Sequence, residues 1–299
     1  MAAFTLGPAL LFCPADRPER FAKAAARADA VILDLEDAVL LEHKAHAREN
    51  LTQTLNWEDE LTPESTIVRI NGAASGEQAE DAAAVAGTEV RWVIAPKAED
   101  PAELDDLAAR LPGVGLIPQI ETPRGVLEAA RLAAHPSVVA LFWGTEDLIA
   151  GLGGAGARRA DGACLPVIRH ARSQLLLTAG AYGIPAVDTI FTSLKDVARL
   201  RQETADAVAE GFIAKACIHP QQVPTIRSAY APEPAQVEWA KALLVEFAVH
   251  AGIPADDAPM ADPARSGAFR FRSEMVDAPV IAQAQRVIQR HEAALSTPG

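Results

Sequence analysis

Cysteine is scarce in this sequence, and the pattern of a zinc site is missing. The 299 residues include three cysteines, Cys13, Cys164 and Cys217. Their number is odd and their spacings are unrelated, so they do not match the paired ligands of a structural zinc site. Scattered thiols of this kind are typical of a reducing compartment. We therefore predict a cytoplasmic protein whose cysteines are reduced.

The sequence also lacks a basic leader, a long apolar run and a basic cluster. No apolar run approaches the roughly 20 residues that a membrane span needs, and the N-terminus has no basic stretch of a signal peptide. The formal net charge is −13, with no cluster of Lys and Arg. These absences predict no membrane and no nucleic acid as partners. They do not exclude an anionic small molecule as a ligand, because local basic residues or a metal determine whether it binds.

What the sequence does contain is a regular alternation of apolar runs and helical patterns. Eight runs rich in β-favouring residues are separated by Ala/Leu/Arg/Glu-rich stretches, and the runs cover residues 9–13, 30–35, 66–70, 91–95, 115–120, 138–142, 186–190 and 211–218. Nearly continuous apolar strands that alternate with helices indicate a parallel sheet buried on both faces. Eight such units predict an α/β fold, the (β/α)8 TIM barrel, with an open doubly wound sheet as the alternative.

Two segments fall outside that repeat. Residues 1–224 form the predicted barrel domain, and residues 225–299 form a C-terminal helical extension with helical patterns at 235–251 and 278–295. We expect this extension to pack on the barrel or on a neighbouring subunit. The glycine-rich segment 151–156 follows a short helix rather than the first strand, so it is weak evidence for nucleotide binding. It predicts a mobile loop over the barrel mouth.

Polar residues follow nearly every predicted strand. Catalytic residues of such barrels gather at the C-terminal ends of the strands, so the barrel mouth is the predicted active site. The residues at these positions are Asp16, Arg17, Asp34, Glu36, Asp37, Arg69, Asn71, Lys97, Glu121, Asp147, Asp188 and His219.

Two of these acids, Glu121 and Asp147, each follow an apolar run directly. A carboxylate at the end of a buried strand is costly unless a charged partner meets it there. With no Cys or His nearby, the pair suits a hard, oxygen-preferring cation such as Mg²⁺. Each acid could instead cap the helix that follows it. The occurrence of two such acids favours the metal site.

Three acids and one arginine follow the second and third strands. Asp34, Glu36 and Asp37 are too many to be direct metal ligands, so we expect some of them to hold metal-bound waters or to orient Arg69. A strand end that runs into a solvated helix start is the alternative for this trio. The Arg69 guanidinium could stabilise a carboxylate or a developing enolate oxygen. An ion pair of Arg69 with Asp34 or Asp37 is compatible with that role.

Other residues at the mouth have more open roles. The backbone N–H groups of Gly144 and Thr145, at a predicted helix start, could bind a substrate carboxylate. Lys97 and Lys215 could form Schiff bases, but the surrounding acids would keep the amines protonated, which favours a metal mechanism. His219 is a candidate general base, and a structural histidine that fixes a turn is the favoured alternative.

A basic segment follows the first strand. Asp16 is the predicted N-cap of a helix. Arg17, Arg20 and Lys23 recur at three-residue spacing, so they should share one helix face at the mouth. Such a face could bind an elongated phosphorylated ligand, and a solvated basic face is an equally open alternative.

Six segments together resemble one family, the citrate lyase β-subunit-like enzymes, which include citramalyl-CoA and malyl-CoA lyases and are related to malate synthase. The similarity runs from about residue 8 to about residue 290. The segments are LFCPADRPERF (11–21), VILDLEDAV (31–39), VRIN (68–71), IETPRG (120–125), GTEDL (144–148) and CIHP (217–220).

The resemblance implies a Mg²⁺-dependent barrel that makes or breaks a carbon–carbon bond between an acyl thioester and a 2-oxo acid. Its functional positions fall on Glu121 and Asp147 for the metal, Arg69 for the substrate, Asp34, Glu36 and Asp37 for the acids around the metal, and Arg17, Arg20 and Lys23 for the coenzyme A phosphates.

The chain departs from the family pattern in two places. It has Cys13-Pro14-Ala15 where relatives usually have Val-Pro-Gly, and segment 269–277 lacks the usual Asp-Gly-Lys ahead of its methionine. Relatives use an acid in this tail that reaches the neighbouring subunit's site, and Asp277 is its match here. The resemblance thus implies a homo-oligomer, a trimer or hexamer, with Asp277 as a catalytic residue.

The activity implied is Mg²⁺-dependent cleavage or formation of a short 3-hydroxyacyl-CoA, such as citramalyl-CoA or malyl-CoA. Its small-molecule partners would be an acyl-CoA and a 2-oxo acid. One alternative is a citrate lyase β subunit that acts on a carrier-protein thioester within a complex. Another is a malyl-CoA thioesterase or malate synthase-like activity. A barrel that only binds acyl-CoA is disfavoured, because every expected site residue is present.

Overall fold

The computed structural model describes residues 4–54 and 61–296. Eight parallel strands close into a barrel in chain order, and β1 pairs with β8 to complete it. The strands are β1 (Ala9–Pro14), β2 (Ala30–Asp34), β3 (Thr66–Arg69), β4 (Trp92–Ala95), β5 (Gly115–Ile120), β6 (Leu141–Trp143), β7 (Ala186–Asp188) and β8 (Ala214–Cys217). This confirms the predicted (β/α)8 barrel and excludes the open sheet.

Helices connect the strands of the barrel. Thr122 caps α5, where its Oγ1 accepts a hydrogen bond from the Gly125 N–H at 3.0 Å, and Pro123 occupies the first turn. The helices are α1 (Phe21–Ala25), α2 (Lys44–Thr54), α3 (Gln78–Ala86), α4 (Pro101–Arg110), α5 (Pro123–Ala133), α6 (Glu146–Gly151), α7 (Pro166–Tyr182), α8 (Val197–Glu210) and α9 (Val223–Tyr230). No described helix has the length and apolarity to cross a membrane.

The strand pleat explains how polar side chains reach the mouth. Ile32, Ile67 and Ile117 lie in the hydrophobic core inside the barrel. Side chains two residues apart on a strand share a face. Asp34 and Arg69, which are register partners, therefore point to the same side as the core residues that precede them. The interior is apolar below and charged at the C-terminal end of the strands.

Some element boundaries differ from the prediction. Strand β6 begins at Leu141 rather than at residue 138, where Val138 forms only an isolated bridge with Leu116. The helix predicted to follow Asp16 begins as a 3-10 turn at Pro18–Arg20, and α1 then covers only Phe21–Ala25.

The prediction of Asp16 as a helix N-cap is wrong. Arg17 occupies that position and makes no capping hydrogen bond through its side chain. The Asp16 carboxyl instead faces His43, with 3.4 Å between Oδ2 and Nδ1.

The chain divides into two compact units between Ile226 and Arg227, within α9. In the second unit, α10 (Pro234–Ala251) and α11 (Ala278–Ser296) pack around a core that includes Phe247 and Ile281. An antiparallel hairpin, β9 (Phe269–Phe271) and β10 (Glu274–Val276), precedes α11. Both helices lie where the sequence pattern predicted them. Packing of this unit on the barrel or on a neighbouring subunit stays a prediction.

Candidate active site

A cavity of about 380 Å³ opens at the C-terminal ends of the barrel strands. Seven of its lining residues were candidates from the sequence, namely Asp34, Asp37, Arg69, Glu121, Gly144, Thr145 and Asp147. Apolar side chains such as Phe12 and Phe142 complete the wall. A concave, partly apolar site with a few convergent charges is the usual form of a small-molecule pocket.

Arg69 is held rigidly at the mouth by two acids. Its Nε and Nη2 donate to Asp34 Oδ1 and Oδ2 at 2.8 and 2.7 Å, and its Nη1 lies 3.0 Å from Glu36 Oε2. The Arg69 guanidinium carbon also stands 4.7 Å from the centre of the Phe12 ring. Burial acts to lower the pKa of Arg69, but the Asp34 carboxylate raises it above its ordinary value. The Arg69 guanidinium is thus a permanently charged hydrogen-bond donor with a fixed orientation.

Glu121 is the most perturbed acid of the cavity. It is 1% exposed, and its Oε1 accepts a hydrogen bond from the Lys97 backbone N–H at 3.0 Å. Its Oε2 accepts from the side-chain amide of Gln119. Burial raises the pKa of Glu121 to about 8, and the negative charges of Glu36 and Asp147 add to the rise. The cations Lys97 and Arg69 act to lower this pKa, so a further positive charge would be needed to keep the carboxyl ionised at neutral pH.

The Lys97 ammonium lies among three carboxylates. Its Nζ stands 2.5 Å from Glu36 Oε1, 3.6 Å from Asp37 Oδ2 and 3.7 Å from Asp147 Oδ1. Burial acts to lower the pKa of Lys97, but hydrogen bonding and charge from Glu36 raise it above its ordinary value. Lys97 is thus a protonated counter-ion, which disfavours the Schiff-base role that was the alternative.

Five carboxyl side chains, which we call the mouth acids, gather at this end of the barrel. They are Asp34, Glu36, Asp37, Glu121 and Asp147. Among the described residues, no three His, Cys, Asp or Glu side chains form a metal site by themselves. Two carboxylates with waters and substrate oxygens are a common magnesium arrangement. The buried Glu121 with Asp147 fits such an ion, because a divalent cation offsets both the burial and the repulsion that raise the Glu121 pKa.

Gly144 contributes space rather than a free N–H group. Its N–H donates to the Ile120 carbonyl at 3.1 Å, which differs from the expectation that this group binds a substrate carboxylate. The strand pairing of β5 and β6 uses that donor. Thr145 lies on the cavity wall at the start of α6.

Three other strand-end candidates have structural partners. Asp188 accepts hydrogen bonds from Lys215 Nζ at 2.8 Å and from Trp143 Nε1 at 2.9 Å. Its neighbour Val187 faces the barrel core, so Asp188 points the other way. Asn71 donates through its side-chain amide to the Leu35 carbonyl at 2.9 Å. His219 Nδ1 accepts a hydrogen bond from a backbone N–H in the turn that follows it. This contact agrees with the alternative that His219 is a structural histidine that fixes a turn.

The basic segment near the mouth is solvent-exposed. The side chains of Arg17 and Arg20 are 54% and 60% exposed, and Lys23 is also exposed. Their acidic neighbours in sequence lie 3.8 Å away, a separation that leaves the guanidinium groups able to bind another anion. Coenzyme A binding by this segment stays a proposal.

Asp277 lies in the second unit. It is exposed, and its carbonyl accepts hydrogen bonds from the N–H groups of Val280 and Ile281 at the start of α11. Its side chain is therefore available at the surface of that unit. Its catalytic role stays a proposal.

Sequence reasoning missed several residues of the cavity, among them Phe12, Gln119 and Thr189. Gln119 precedes Glu121 by two positions and so shares its face of β5. Thr189 follows the core residue Val187 by the same interval. The two-residue period of strands was the signal that could have identified them.

Comparison with known proteins agrees with this geometry. Residues 9–220 match the HpcH/HpaI aldolase/citrate lyase family. The citrate lyase subunit beta-like protein of Mycobacterium tuberculosis is 45% identical over 95% of each chain. A (3S)-malyl-CoA thioesterase of Cereibacter sphaeroides is 34% identical over 80% of this chain and 82% of its own.

A solved structure extends the likeness to three dimensions. The crystal structure of protein CitE from Mycobacterium tuberculosis in complex with magnesium, acetoacetate and coenzyme A is 45% identical. It aligns with a TM-score of 0.81 over 96% of this chain and 98% of that one. With its closed barrel and its arginine and acids at the mouth, this chain belongs to the HpcH/HpaI aldolase/citrate lyase family.

Proposed function

We propose that the protein is a Mg²⁺-dependent carbon–carbon lyase. Its substrate would be a short 3-hydroxyacyl-CoA, such as citramalyl-CoA or malyl-CoA, and its products a 2-oxo acid and an acyl-CoA. The observation that carries the proposal is the buried Arg69–Asp34 pair on the same cavity wall as Glu121. The mycobacterial structure with magnesium, acetoacetate and coenzyme A supports the choice of ligands.

Glu121 and Asp147 would hold the magnesium ion, with waters and substrate oxygens as the other ligands. When bound, the ion supplies Lewis-acid activation of the substrate hydroxyl. A carboxylate accepts the hydroxyl proton, and Asp37 at the rim and Asp277 of a neighbouring subunit are the proposed acceptors. The bond between the hydroxyl-bearing carbon and the carbon next to the thioester then breaks.

Arg69 would stabilise the charge that this cleavage places on the thioester oxygen. Asp34 and Glu36 fix its guanidinium before the substrate arrives, so little reorganisation accompanies the reaction. Transfer of the proton from the accepting carboxyl group to the enolate carbon completes the acyl-CoA. The same residues in reverse order support condensation.

The metal assignment is tested with Glu121→Gln and Asp147→Asn. Mg²⁺ should raise the Tm of the wild type by mass action, and neither variant should show that shift or Mg²⁺-dependent turnover. Asp106→Asn is the matched control, since this acid on α4 is exposed and pairs with Arg110. Wild-type activity and an unchanged Mg²⁺ shift in both variants would place the metal elsewhere.

Product analysis separates the lyase from a thioesterase, which the Cereibacter relative makes the second candidate. Cleavage of malyl-CoA by a lyase gives a 2-oxo acid and no free thiol. Hydrolysis gives malate and free coenzyme A, which a thiol reagent detects. Free thiol that appears at the rate of substrate loss would reject the lyase.

Recognition of coenzyme A is proposed for Arg17, Arg20 and Lys23. Replacing all three with Ala should raise KM for CoA thioesters and leave KM for pantetheine thioesters unchanged, because only the former carry the nucleotide phosphates. Lys241→Ala, on exposed surface of α10, is the control. Activity of the wild type on carrier-protein thioesters, without activity on CoA thioesters, would instead favour the subunit of a larger complex.

We also propose a cytoplasmic homo-oligomer, a trimer or hexamer, in which Asp277 serves a neighbouring site. Light scattering of the purified protein measures its assembly state. Asp277→Asn and Glu121→Gln should each be inactive alone. A mixture of the two, after subunit exchange, should regain activity, because some sites then receive both intact residues. No recovery despite proven exchange would reject action between subunits.

A further inference from the structure

Two oxygen atoms in the cavity wall have no hydrogen-bond partner among the described residues. They are Gln119 Oε1 and Thr189 Oγ1. The two residues are 4% and 6% exposed, and both line the cavity. A buried polar atom without a partner destabilises a fold, so its retention at a cavity wall points to a ligand that satisfies it.

The surrounding backbone holds Thr189 in place. Its carbonyl accepts a hydrogen bond from Lys215 Nζ at 2.7 Å. Two residues later, the Phe191 carbonyl accepts from Gln222 Nε2, also at 2.7 Å. These contacts use the main chain, and the Thr189 hydroxyl takes part in neither of them. The backbone that carries this hydroxyl is therefore fixed before any ligand binds.

Strand register places Thr189 at the level of Glu121. Gln119 pairs with Phe142, and Phe142 pairs with Val187. Two residues further along each strand, the corresponding positions are Glu121, Gly144 and Thr189. Because residue 144 has no side chain, none separates Glu121 from Thr189 at this level of the barrel.

We propose that Thr189 is a specificity-determining residue for the acid half of the substrate, with its Oγ1 donating a hydrogen bond to a carboxylate oxygen. This inference rests on the proposed function and adds a substrate contact to it. A hydroxyl donor suits the 2-oxo carboxylate, whose oxygens are all acceptors. Gln119 Oε1, an acceptor on the same wall, suits the hydroxyl that the 3-hydroxyacyl substrate has and the 2-oxo acid lacks.

The test is calorimetric titration of pyruvate and of glyoxylate, in the presence of Mg²⁺, into Thr189→Val, Thr189→Ser and the wild type. Val keeps the shape and removes the hydroxyl, so Kd should rise about tenfold or more, as for a lost hydrogen bond to a charged group. Ser keeps the hydroxyl and should stay within about threefold of the wild type.

Thr66→Val is the matched control. The hydroxyl of Thr66 is also buried without a partner in the described chain, but Thr66 lies at the start of β3 and not on the cavity wall. Its replacement should leave Kd unchanged. Neither Val variant should lower Tm, because each removes an unsatisfied polar atom.

Kinetics give a second readout in the condensation direction. In Thr189→Val, KM for the 2-oxo acid should rise while KM for the acyl-CoA stays within about twofold, because the contact is specific to the acid half. Unchanged Kd, a rise confined to the acyl-CoA KM, or a wild type that binds neither acid would overturn the inference. Binding of the acids by a wild type that turns over no thioester would instead overturn the proposed function alone.

Discussion

Gly144 and Glu121 approach so closely that a β carbon on residue 144 would lie 2.6 Å from Glu121 Oε2. The Lys97 N–H and the Gln119 amide hold the same carboxyl from other directions. A side chain at position 144 must therefore displace Glu121. The glycine is required by this close approach, not by an unusual backbone conformation.

Gly144→Ala should accordingly lower kcat/KM by more than about tenfold and weaken Mg²⁺ binding, since a misplacement of a ligand by about 1 Å is costly in catalysis. The fold should survive, because the displaced group is at a cavity. Gly180→Ala on α7 is the control, as a β carbon there meets nothing within 4 Å. It should leave activity unchanged. Steady-state kinetics and the Mg²⁺-dependent Tm shift measure both, and full activity of Gly144→Ala would contradict the close approach.

Arg69→Met should destabilise the protein by about 3–5 kcal/mol, the usual result of removing one partner of a buried pair. Arg69 is 7% exposed and Asp34 is 1% exposed, so the Asp34 charge would be left without compensation. Arg110→Met removes an exposed pair with Asp106 and should cost less than about 1 kcal/mol. Urea unfolding compares the two. Equal effects would show that the Arg69 pair is not buried in solution.

The stability of the metal-free protein should fall as pH rises from about 5 to about 8. The pKa of Glu121 is raised to about 8 from its ordinary value of 4.5, so in this window the folded state binds a proton that the unfolded state does not. Raising the pH removes that proton, so the free energy of unfolding falls. Glu121→Gln cannot titrate, so its stability should fall less. Urea unfolding in EDTA at several pH values checks this, and parallel curves for the two proteins would contradict it.

Cys164 should be the cysteine that reacts first with iodoacetamide at pH 8. Burial raises the pKa of the Cys13 thiol to about 11, and the Cys13 side chain is 3% exposed, so little thiolate is accessible. Cys217 is also buried, whereas Cys164 is half-buried. Peptide mass spectrometry gives the order of labelling, and guanidinium-unfolded protein, in which all three should react, is the control. Early labelling of Cys13 would contradict its burial.

The sequence alone predicted the barrel and much of its mouth because strand periodicity and strand-end position are local properties. Arg69 and Glu121 each lie an even number of residues after a core residue of the same strand, Ile67 and Ile117, and so face the barrel interior as the strand pattern predicts. Asp188 shows the limit of the strand-end rule, since it lies one residue from Val187 and so faces the other way. The alternation of side chains along the strand, not proximity to the strand end, decides which residue reaches the cavity.

Contacts that depend on several elements were beyond sequence reasoning. Lys97 follows β4 with a φ of 52°, a conformation uncommon for a residue with a side chain. From there its ammonium reaches acids that follow β2 and β6, which no spacing predicts. Likewise, the Gly144 N–H has its partner on β5, and only the register of two strands identifies it.

The surplus of mouth acids over the Arg69 and Lys97 cations has a consequence for the order of events. An anionic 2-oxo acid that approaches the cavity before a divalent cation meets repulsion from carboxylates that are only partly neutralised. After the cation has bound, the same approach is attractive. We therefore expect ordered binding, with the cation first. The bound acid must then dissociate before the cation can leave. Chelation by EDTA should accordingly be slower when the 2-oxo acid is present.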